Sequence, residues 1–380
     1  MGFVLNENVR AVQSAPLRIG YVVSTLRRSG PTRQLLNLAS QLHSWGCAVH
    51  VLTLSAEPED SLWYEFVDFG ISVNSLSMGR AKSVWAGRKR IKAWIEKHGV
   101  NVVHTQGIRA DSMVGALGLP HVATLRNYPF EDYPLLYGRL RGWAMAKWHL
   151  RVLRRAPRPV VVSRGVAGML QKIGMDLDVV QNGVDVEHFR VPVSKGRAKQ
   201  AVGCVGERPL AVATGHLIGR KDPETAIKAI ASLEDVDLVL LGDGDLRSEL
   251  ERRWGAHKRV RFVGRVEDVR QWLHAADVFV SASRSEGLPN AVMEAMACGL
   301  PCVLSNIPPH RELLEREPAA GELFAAGDAA MMANALRRVL KNKEAASVAA
   351  RKNAVERFSA EVMAGNYRKL YVEELERAQG

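Results

Sequence analysis

Cysteine is scarce in this sequence: Cys47, Cys204, Cys298 and Cys302 are the four in 380 residues. They show no paired spacing with histidines, so no zinc site or disulfide framework organises the chain. They read as reduced, small, mostly buried side chains. Long apolar runs are missing too. No window reaches the roughly 18 uninterrupted apolar residues that a membrane-spanning helix needs, and the opening MGFVLNENVR lacks the basic-then-apolar order of a signal peptide. The expected compartment is therefore the cytosol. Acidic residues are in short supply in one half only. Residues 1–190 hold 24 Lys+Arg against 14 Asp+Glu, whereas residues 191–380 hold 28 against 26. A one-sided basic field points to an anionic partner: nucleic acid, a phosphorylated substrate or an anionic membrane face. The alternative is a merely soluble basic surface.

What is present is a repeating alternation of Val/Ile runs and helical patterns. LRIGYVVS is followed by the Ser29-Gly30-Pro31-Thr32 loop and a helix pattern through Leu35, Leu36, Leu38, Ala39 and Leu42. AVHVLTLS, ISVNSLS, NVVHTQ, HVATLR and PVVVS read as further strands, with a helix around Lys82 to His98. The second half repeats the plan with PLAVATG, VDLVLLG, VRFVG, DVFVSAS and PCVLSN. Near-continuous apolar strands separated by helices predict parallel sheets covered on both faces. The expected fold is α/β: two Rossmann-like domains facing each other across a cleft, over residues 1–190 and 191–355. A C-terminal helix over 356–380 is expected to pack back on the first domain, and the polar stretch Glu187 to Gly206 reads as the interdomain connection. Ligands of such sheets bind outside the carboxyl ends of the strands.

The segment SASRSEGLPNAVMEAMACGLPCV carries the chemistry. Pro289 suits an early helix position, and Gly299 followed by Pro301 stops that helix after about three turns. Glu286 then lies on a loop and Glu294 within the helix. The backbone N–H groups of Gly287, Leu288, Asn290 and Ala291 collect at a helix N-terminus, which suits phosphate. A carboxylate just ahead accepts hydrogen bonds from sugar hydroxyls, and one on the helix reaches ribose. The bland alternative makes Glu286 a helix cap and Glu294 part of a solvated face.

This stretch resembles the signature of glycosyltransferase family 4, in which two glutamates seven residues apart hold the donor's sugar and the ribose of its nucleotide. TGHLIGRKDPETAIKAI is similar to the family's strand-loop-helix turn whose basic residues neutralise the donor diphosphate. Lys221 falls on the lysine position, and His216 falls where an arginine is usual, with Arg220 beside it. VVQNGVDVEHF resembles the turn that ends the family's N-terminal domain. LLGDGDLRSEL and VRFVGRVEDVRQWLHAADVFVSAS resemble the pieces of its nucleotide pocket, which puts Gly242, Gly244, Arg265 and Val266 near base and ribose. In the first half, Gly30 stands in the place of a Gly-rich loop approaching donor and acceptor. Arg126 occupies a position where the family often has a histidine near the reacting sugar. An arginine there is no base, but suits an acceptor phosphate or the departing diphosphate. His104, at another strand end, is similar to a second family position facing the cleft.

The resemblance implies the GT-B architecture and transfer from a nucleotide sugar, with a UDP-sugar as the family-level expectation, retention of anomeric configuration and no metal or cofactor. Asp243-Gly244-Asp245 and Asp176-Leu177-Asp178 have the spacing by which other transferases hold a divalent ion, but both lie in turn or loop contexts. Glu286, Lys221, His216, Arg126 and His104 are the candidate catalytic residues. The basic first half offers two segments for an anionic membrane surface. GRAKSVWAGRKRIKAWIEKHG sets Val84, Ile91 and Ile95 on one face between Trp85 and Trp94, which equally suits a packed Rossmann helix. YGRLRGWAMAKWHLRVLRRAPRP clusters Lys147, Arg151, Arg154 and Arg155 beside Trp143 and Trp148. A glycan or lipid-linked acceptor in polysaccharide or lipopolysaccharide synthesis follows. The rival readings are a sugar-nucleotide epimerase or hydrolase on the same fold, for which no further carboxylate pair is seen, and a non-catalytic nucleic-acid-binding protein. The latter would need stacking aromatics on strands, whereas these tryptophans lie in helical patterns.

Overall fold

The computed structural model describes residues 16–79, 84–204 and 206–379. The apolar runs form thirteen strands: β1 (Arg18–Val23), β2 (Ala48–Thr53), β3 (Ser72–Ser75), β4 (Val102–Gln106), β5 (His121–Leu125), β6 (Arg158–Val161), β7 (Asp178–Val179), β8 (Leu210–Thr214), β9 (Asp237–Leu241), β10 (Val260–Gly264), β11 (Val278–Ser281), β12 (Cys302–Ser305) and β13 (Gly321–Phe324). They make two sheets, ordered β3-β2-β1-β4-β5-β6-β7 and β10-β9-β8-β11-β12-β13. Every pairing is parallel. Helices cover both faces, as parallel sheets require because neither face can meet water. Ile19, Tyr21, Val51 and Val102 are buried on one side of the first sheet and Val22, Leu52 and Val103 on the other. Strand order reverses between β1 and β4, and again between β8 and β11. At such switch points diverging connections open a crevice beyond the strand ends.

The chain passes between the two sheets twice, and the two crossings touch. Val184 N donates to Phe358 O at 2.7 Å, and Ala360 N donates to Val184 O at 2.8 Å. A Cβ on Gly183 would come within 2.8 Å of the Ala360 Cα, so a larger residue there would force the crossings apart. The terminal helix Ala360–Gln379 leaves from this point and lies on the first sheet, burying Met363, Ala364, Tyr367, Leu370 and Tyr371 among Tyr21, Leu35 and Val122. At about 25 cal/mol per Å² of apolar surface, five such side chains hold the helix firmly.

The first basic segment forms the helix Val84–His98. Residues 80–83 and the side chains of Val84 and Trp85 lie outside the described residues. The face bearing Ile91 and Ile95 is buried against Val22, Leu52 and Val103, and Trp94 Nε1 donates to Asn74 Oδ1 at 2.9 Å. That apolar face is spent on the core, which corrects its reading as a docking surface. The second segment behaves differently. Its helices Pro129–Tyr137 and Arg139–Leu153 pack as a hairpin, so closely that a Cβ on Gly142 would sit 2.4 Å from the Tyr133 carbonyl oxygen. Leu135, Leu136, Tyr137, Leu140, Trp143 and Trp148 are left exposed, Leu140 at 87%. No helix of the described residues is long and apolar enough to cross a membrane.

Candidate active site

The site gathers at the second sheet's switch point. After β8 the chain turns through Gly215, at φ +140°, into His216. After β9 it turns through Gly242, at φ +131°. A Cβ on Gly242 would fall 1.9 Å from the Gly215 carbonyl oxygen, and one on Gly244 2.5 Å from that of Leu217. Only glycine permits both these backbone angles and this contact. Leu217 N donates to Asp243 O at 3.0 Å, which ties the two turns together. Asp243 itself accepts from Gly244 N at 2.8 Å and meets Arg247 at 3.5 Å, while Asp178 pairs with Arg158 at 2.8 Å.

The β8 turn leads into a single 3-10 turn, Gly219–Lys221, which aims two cations at the loop following β11. Lys221 Nζ lies 2.5 Å from Glu286 Oε1, and Arg220 Nη1 lies 3.3 Å from Glu286 Oε2. Arg220 also donates to the Ser285 carbonyl at 2.7 Å. Glu286 is only 8% exposed. Burial alone would raise its pKa, but the charges of Lys221 and Arg220 outweigh that and hold it below the ordinary carboxylate range. The carboxylate is therefore ionised and two cations are fixed in place.

Beyond Glu286 the helix begins at Asn290 with Pro289 as its N-cap, and it ends at Ala297. It spans a little over two turns of eight residues, shorter than the expected three, because the backbone of Pro289 stays extended and Cys298 already leaves helical geometry. No side chain caps its first turn, so its leading N–H groups are available to a ligand.

The first domain supplies the opposite wall. A cavity of about 970 Å³ is lined by Gly30, Gln34, Arg126, Asn127 and Asn182 on one side, and by His216, Arg220, Lys221, Glu286, Gly287, Leu288, Asn290 and Ala291 on the other. The walls meet closely: a Cβ on Gly287 would fall 2.0 Å from the Arg126 carbonyl oxygen. Asn290 Nδ2 donates to Gly30 O at 3.1 Å, Asn182 Nδ2 donates to Leu288 O at 3.1 Å, and Arg126 Nη1 donates to Asn182 Oδ1 at 2.6 Å. Ser285 Oγ donates to Glu131 across the same seam.

Glu294 does not join this cavity. It lines a second one, with Arg33, Asn37, Asp185, His188, Glu267 and Asp268. Burial raises its pKa to about 7, with Arg33 opposing weakly. Arg265 is exposed and Val266 packs on the core, immediately before Glu267 and Asp268. Gly242 and Gly244 stand behind the β8 turn and shape it from below.

His104 is a correction. It is wholly buried beneath the first sheet's covering helix, with Nδ1 2.6 Å from the Tyr371 hydroxyl and Nε2 2.7 Å from Thr124 Oγ1. Both ring nitrogens are occupied, and burial holds its pKa well below normal, so it is a neutral structural histidine. Asn127 and Asn182 also line the cleft, and no motif of the sequence points to Asn127. Asn182 lies in the Asn-Gly-Val-Asp turn, whose glycine is the visible signal of a close approach.

Residues 28–188 match the model described as Glycosyltransferase Family 4, and residues 208–342 match Glycosyl transferases group 1. A UDP-Gal:alpha-D-GlcNAc-diphosphoundecaprenol alpha-1,3-galactosyltransferase of Escherichia coli is 32% identical over 66% of this chain and 68% of its own. The chain belongs to glycosyltransferase family 4. A phosphatidyl-myo-inositol mannosyltransferase of Mycobacterium leprae is 27% identical over 90% of this chain and 92% of its own. The crystal structure of Anabaena Alr3699/HepE in complex with UDP superposes with a TM-score of 0.78 at 17% identity, covering 94% of this chain and 100% of that one. The family 4 chain thus has the two-domain GT-B fold of these glycosyltransferases, and its relatives work in lipopolysaccharide, O-antigen and polysaccharide synthesis.

Proposed function

We propose that this glycosyltransferase moves a sugar from a UDP-sugar to a glycan or lipid-linked acceptor with retention of configuration and without a metal. The observation that carries the reading is the Lys221–Glu286–Arg220 cluster at the mouth of an uncapped helix, facing Arg126 across the cleft. The donor's sugar and diphosphate occupy the cavity at Glu286, and the nucleoside extends toward Glu294 past the turns shaped by Gly242, Gly244, Arg265 and Val266. As the anomeric C–O bond to the diphosphate breaks, negative charge grows on the leaving oxygens. Lys221, Arg220, His216 and the N–H groups of Asn290 and Ala291 stand ready for it, so no divalent ion is required. The acceptor hydroxyl attacks from the same face, forming the new C–O bond, and its proton passes to a departing phosphate oxygen. Closure of the walls excludes water, which would otherwise hydrolyse the donor.

The acceptor side is read from the hairpin 129–153. Its exposed Leu135, Leu136, Leu140, Trp143 and Trp148 stand among Arg139, Arg141, Lys147 and Arg151, with Lys147 Nζ 4.0 Å from the Trp143 ring centroid. Apolar and aromatic side chains rimmed by cations suit the anionic face of the cytoplasmic membrane, where lipid-linked acceptors reside. Co-sedimentation with anionic vesicles at low salt, lost at high salt, is the matching measurement.

Mass spectrometry of products from UDP- and GDP-sugars with lipid-linked acceptors tests the activity, and thermal stabilisation by UDP tests the site. Glu286→Ala is expected to lower transfer by about 10²- to 10³-fold with an unchanged circular dichroism spectrum. Full activity in that variant would sink the assignment.

A further inference from the structure

The cations of the cleft differ in what answers them. Arg220 and Lys221 share Glu286. Arg126 has no such carboxylate. Its Nε donates to Gln106 Oε1 at 3.3 Å and its Nη1 to Asn182 Oδ1 at 2.6 Å, both neutral amides. Among the described residues, the rest of its five N–H donors meet no acceptor. Burial depresses its pKa, and the groups that support its charge are only the hydroxyls of Tyr367, Tyr371 and Tyr21. The acids that stand nearest along the chain are engaged elsewhere: Glu131 accepts from Ser285, and Asp132 is bound to Asn127.

A second orphan lies beside it. Gln106 is the last residue of β4, at the first sheet's own switch point, and its Nε2 is buried without a partner. Leaving the buried Gln106 donor unsatisfied costs about 1–3 kcal/mol, and the half-buried Arg126 guanidinium, which lines the cleft, has no counter-ion beside it. A protein holds both in one place when something else completes them. The Arg126 backbone abuts Gly287, so whatever completes them sits next to the group held at Glu286.

We propose that Arg126 and Gln106 form a receptor for a carboxylate or phosphate carried by the substrate at the reacting end of the cleft, and that this transferase is selective for an acidic substrate. The inference rests on the nucleotide-sugar reading above and adds the substrate's charge. The shared chemistry is a planar or tetrahedral oxyanion gripped by a guanidinium fork and an amide N–H. It has two sources: a uronic acid as the donor's sugar, or the phosphate on the acceptor sugar of a lipid diphosphate.

Isothermal titration of the full chain separates them with two matched pairs. The first is UDP-glucose against UDP-glucuronate. The second, measured with UDP present, is a farnesyl-diphosphate-linked N-acetylglucosamine against octyl N-acetylglucosaminide. The charged member of one pair is expected to bind at least about tenfold more tightly, and which pair shows it names the source. Arg126→Gln should erase that preference and Arg126→Lys should keep only part of it, since lysine retains the charge without the fork. Gln106→Glu, which gives Arg126 an internal carboxylate, should erase it with the charge of Arg126 intact. Equal binding within both pairs by the native chain overturns the proposal, as does a preference that survives in folded Arg126→Gln and Gln106→Glu proteins. Absence of UDP binding by the native chain would overturn the nucleotide-sugar reading and this one with it, whereas normal UDP binding with equal pairs overturns this one alone.

Discussion

The two walls of the cleft are built on the same switch-point plan but to different standards of rigidity. On the second-domain wall, Gly215 and Gly242 press backbone against backbone, and each cation of the Lys221–Glu286–Arg220 cluster has its counter-ion. On the first-domain wall, Arg126 rests on amides and Gln106 keeps a free donor. The second-domain wall is complete without ligand, and the first-domain wall is completed by one. A donor-binding wall that must present preorganised charge gains from being finished in advance. A wall that selects among substrates gains from groups left unsatisfied, because the wrong substrate then leaves them buried and unpaired.

The largest way to break this contrast is to spoil the close glycine contacts. Gly242→Ala would place a methyl 1.9 Å from the Gly215 carbonyl oxygen at a left-handed φ. We expect a loss of at least about 4 kcal/mol, read by denaturant unfolding, with UDP binding abolished. Gly287→Ala makes an equally short contact, 2.0 Å, but with the Arg126 carbonyl across the cleft. Relief there needs only that the walls separate. Its expected signature is an increased radius of gyration in solution scattering and lost transfer, with much less destabilisation. If both variants lost stability alike, the walls would be one rigid body rather than two.

The contrast also explains what could be read before the structure. Eleven strands announced themselves as Val/Ile/Leu runs, because a strand buried on both faces has no room for alternation. Asp178–Val179 and Gly321–Phe324 did not, since edge strands of two and four residues carry no such run. The Glu286 loop was legible because its glycines, proline and carboxylates sit within one short stretch. Glu286 and Glu294 fall in different cavities because a helix turns its side chains around its axis, which spacing alone does not resolve. His104 misled because a histidine at a strand end looks the same in sequence whether the strand end faces the cleft or a covering helix. The helix that covers it comes from residues 360–379, over 250 positions away.

Glu294 sharpens the comparison more gently, through pH. Its folded-state pKa is about 7, raised from an ordinary 4.5 by burial. The folded chain therefore holds a proton that the unfolded chain has released between those values, so this group makes stability fall as pH rises from about 4.5 to 7, and the loss is complete above that. Glu294→Gln removes the dependence. The variant is expected to match the native chain at pH 4.5 and to exceed it by at most about 3 kcal/mol at pH 8, read from urea midpoints. A pH-independent difference would show that Glu294 is solvated and already ionised.

The smallest effect concerns the network behind the first wall. The Tyr371 hydroxyl lies 2.6 Å from His104 Nδ1 and 3.3 Å from the Tyr21 hydroxyl, and Thr124 Oγ1 lies 2.9 Å from the Tyr367 hydroxyl. These bonds fasten the terminal helix to the strands that carry Gln106 and Arg126, so they position that wall without touching substrate. Tyr371→Phe removes one hydroxyl and leaves the ring packing intact. It should cost about 1–2 kcal/mol, the penalty for orphaning a buried imidazole nitrogen. If His104 is purely structural, kcat and its pH profile remain native in this variant while Tm falls. A shifted pH profile would instead mean that the imidazole communicates with the cleft through Thr124 and β5, and would return His104 to the reaction. Because the His104 pKa is held well below normal by burial, the ring carries no charge at neutral pH in the native chain, and its single N–H is held within the hydrogen bonds to Tyr371 and Thr124.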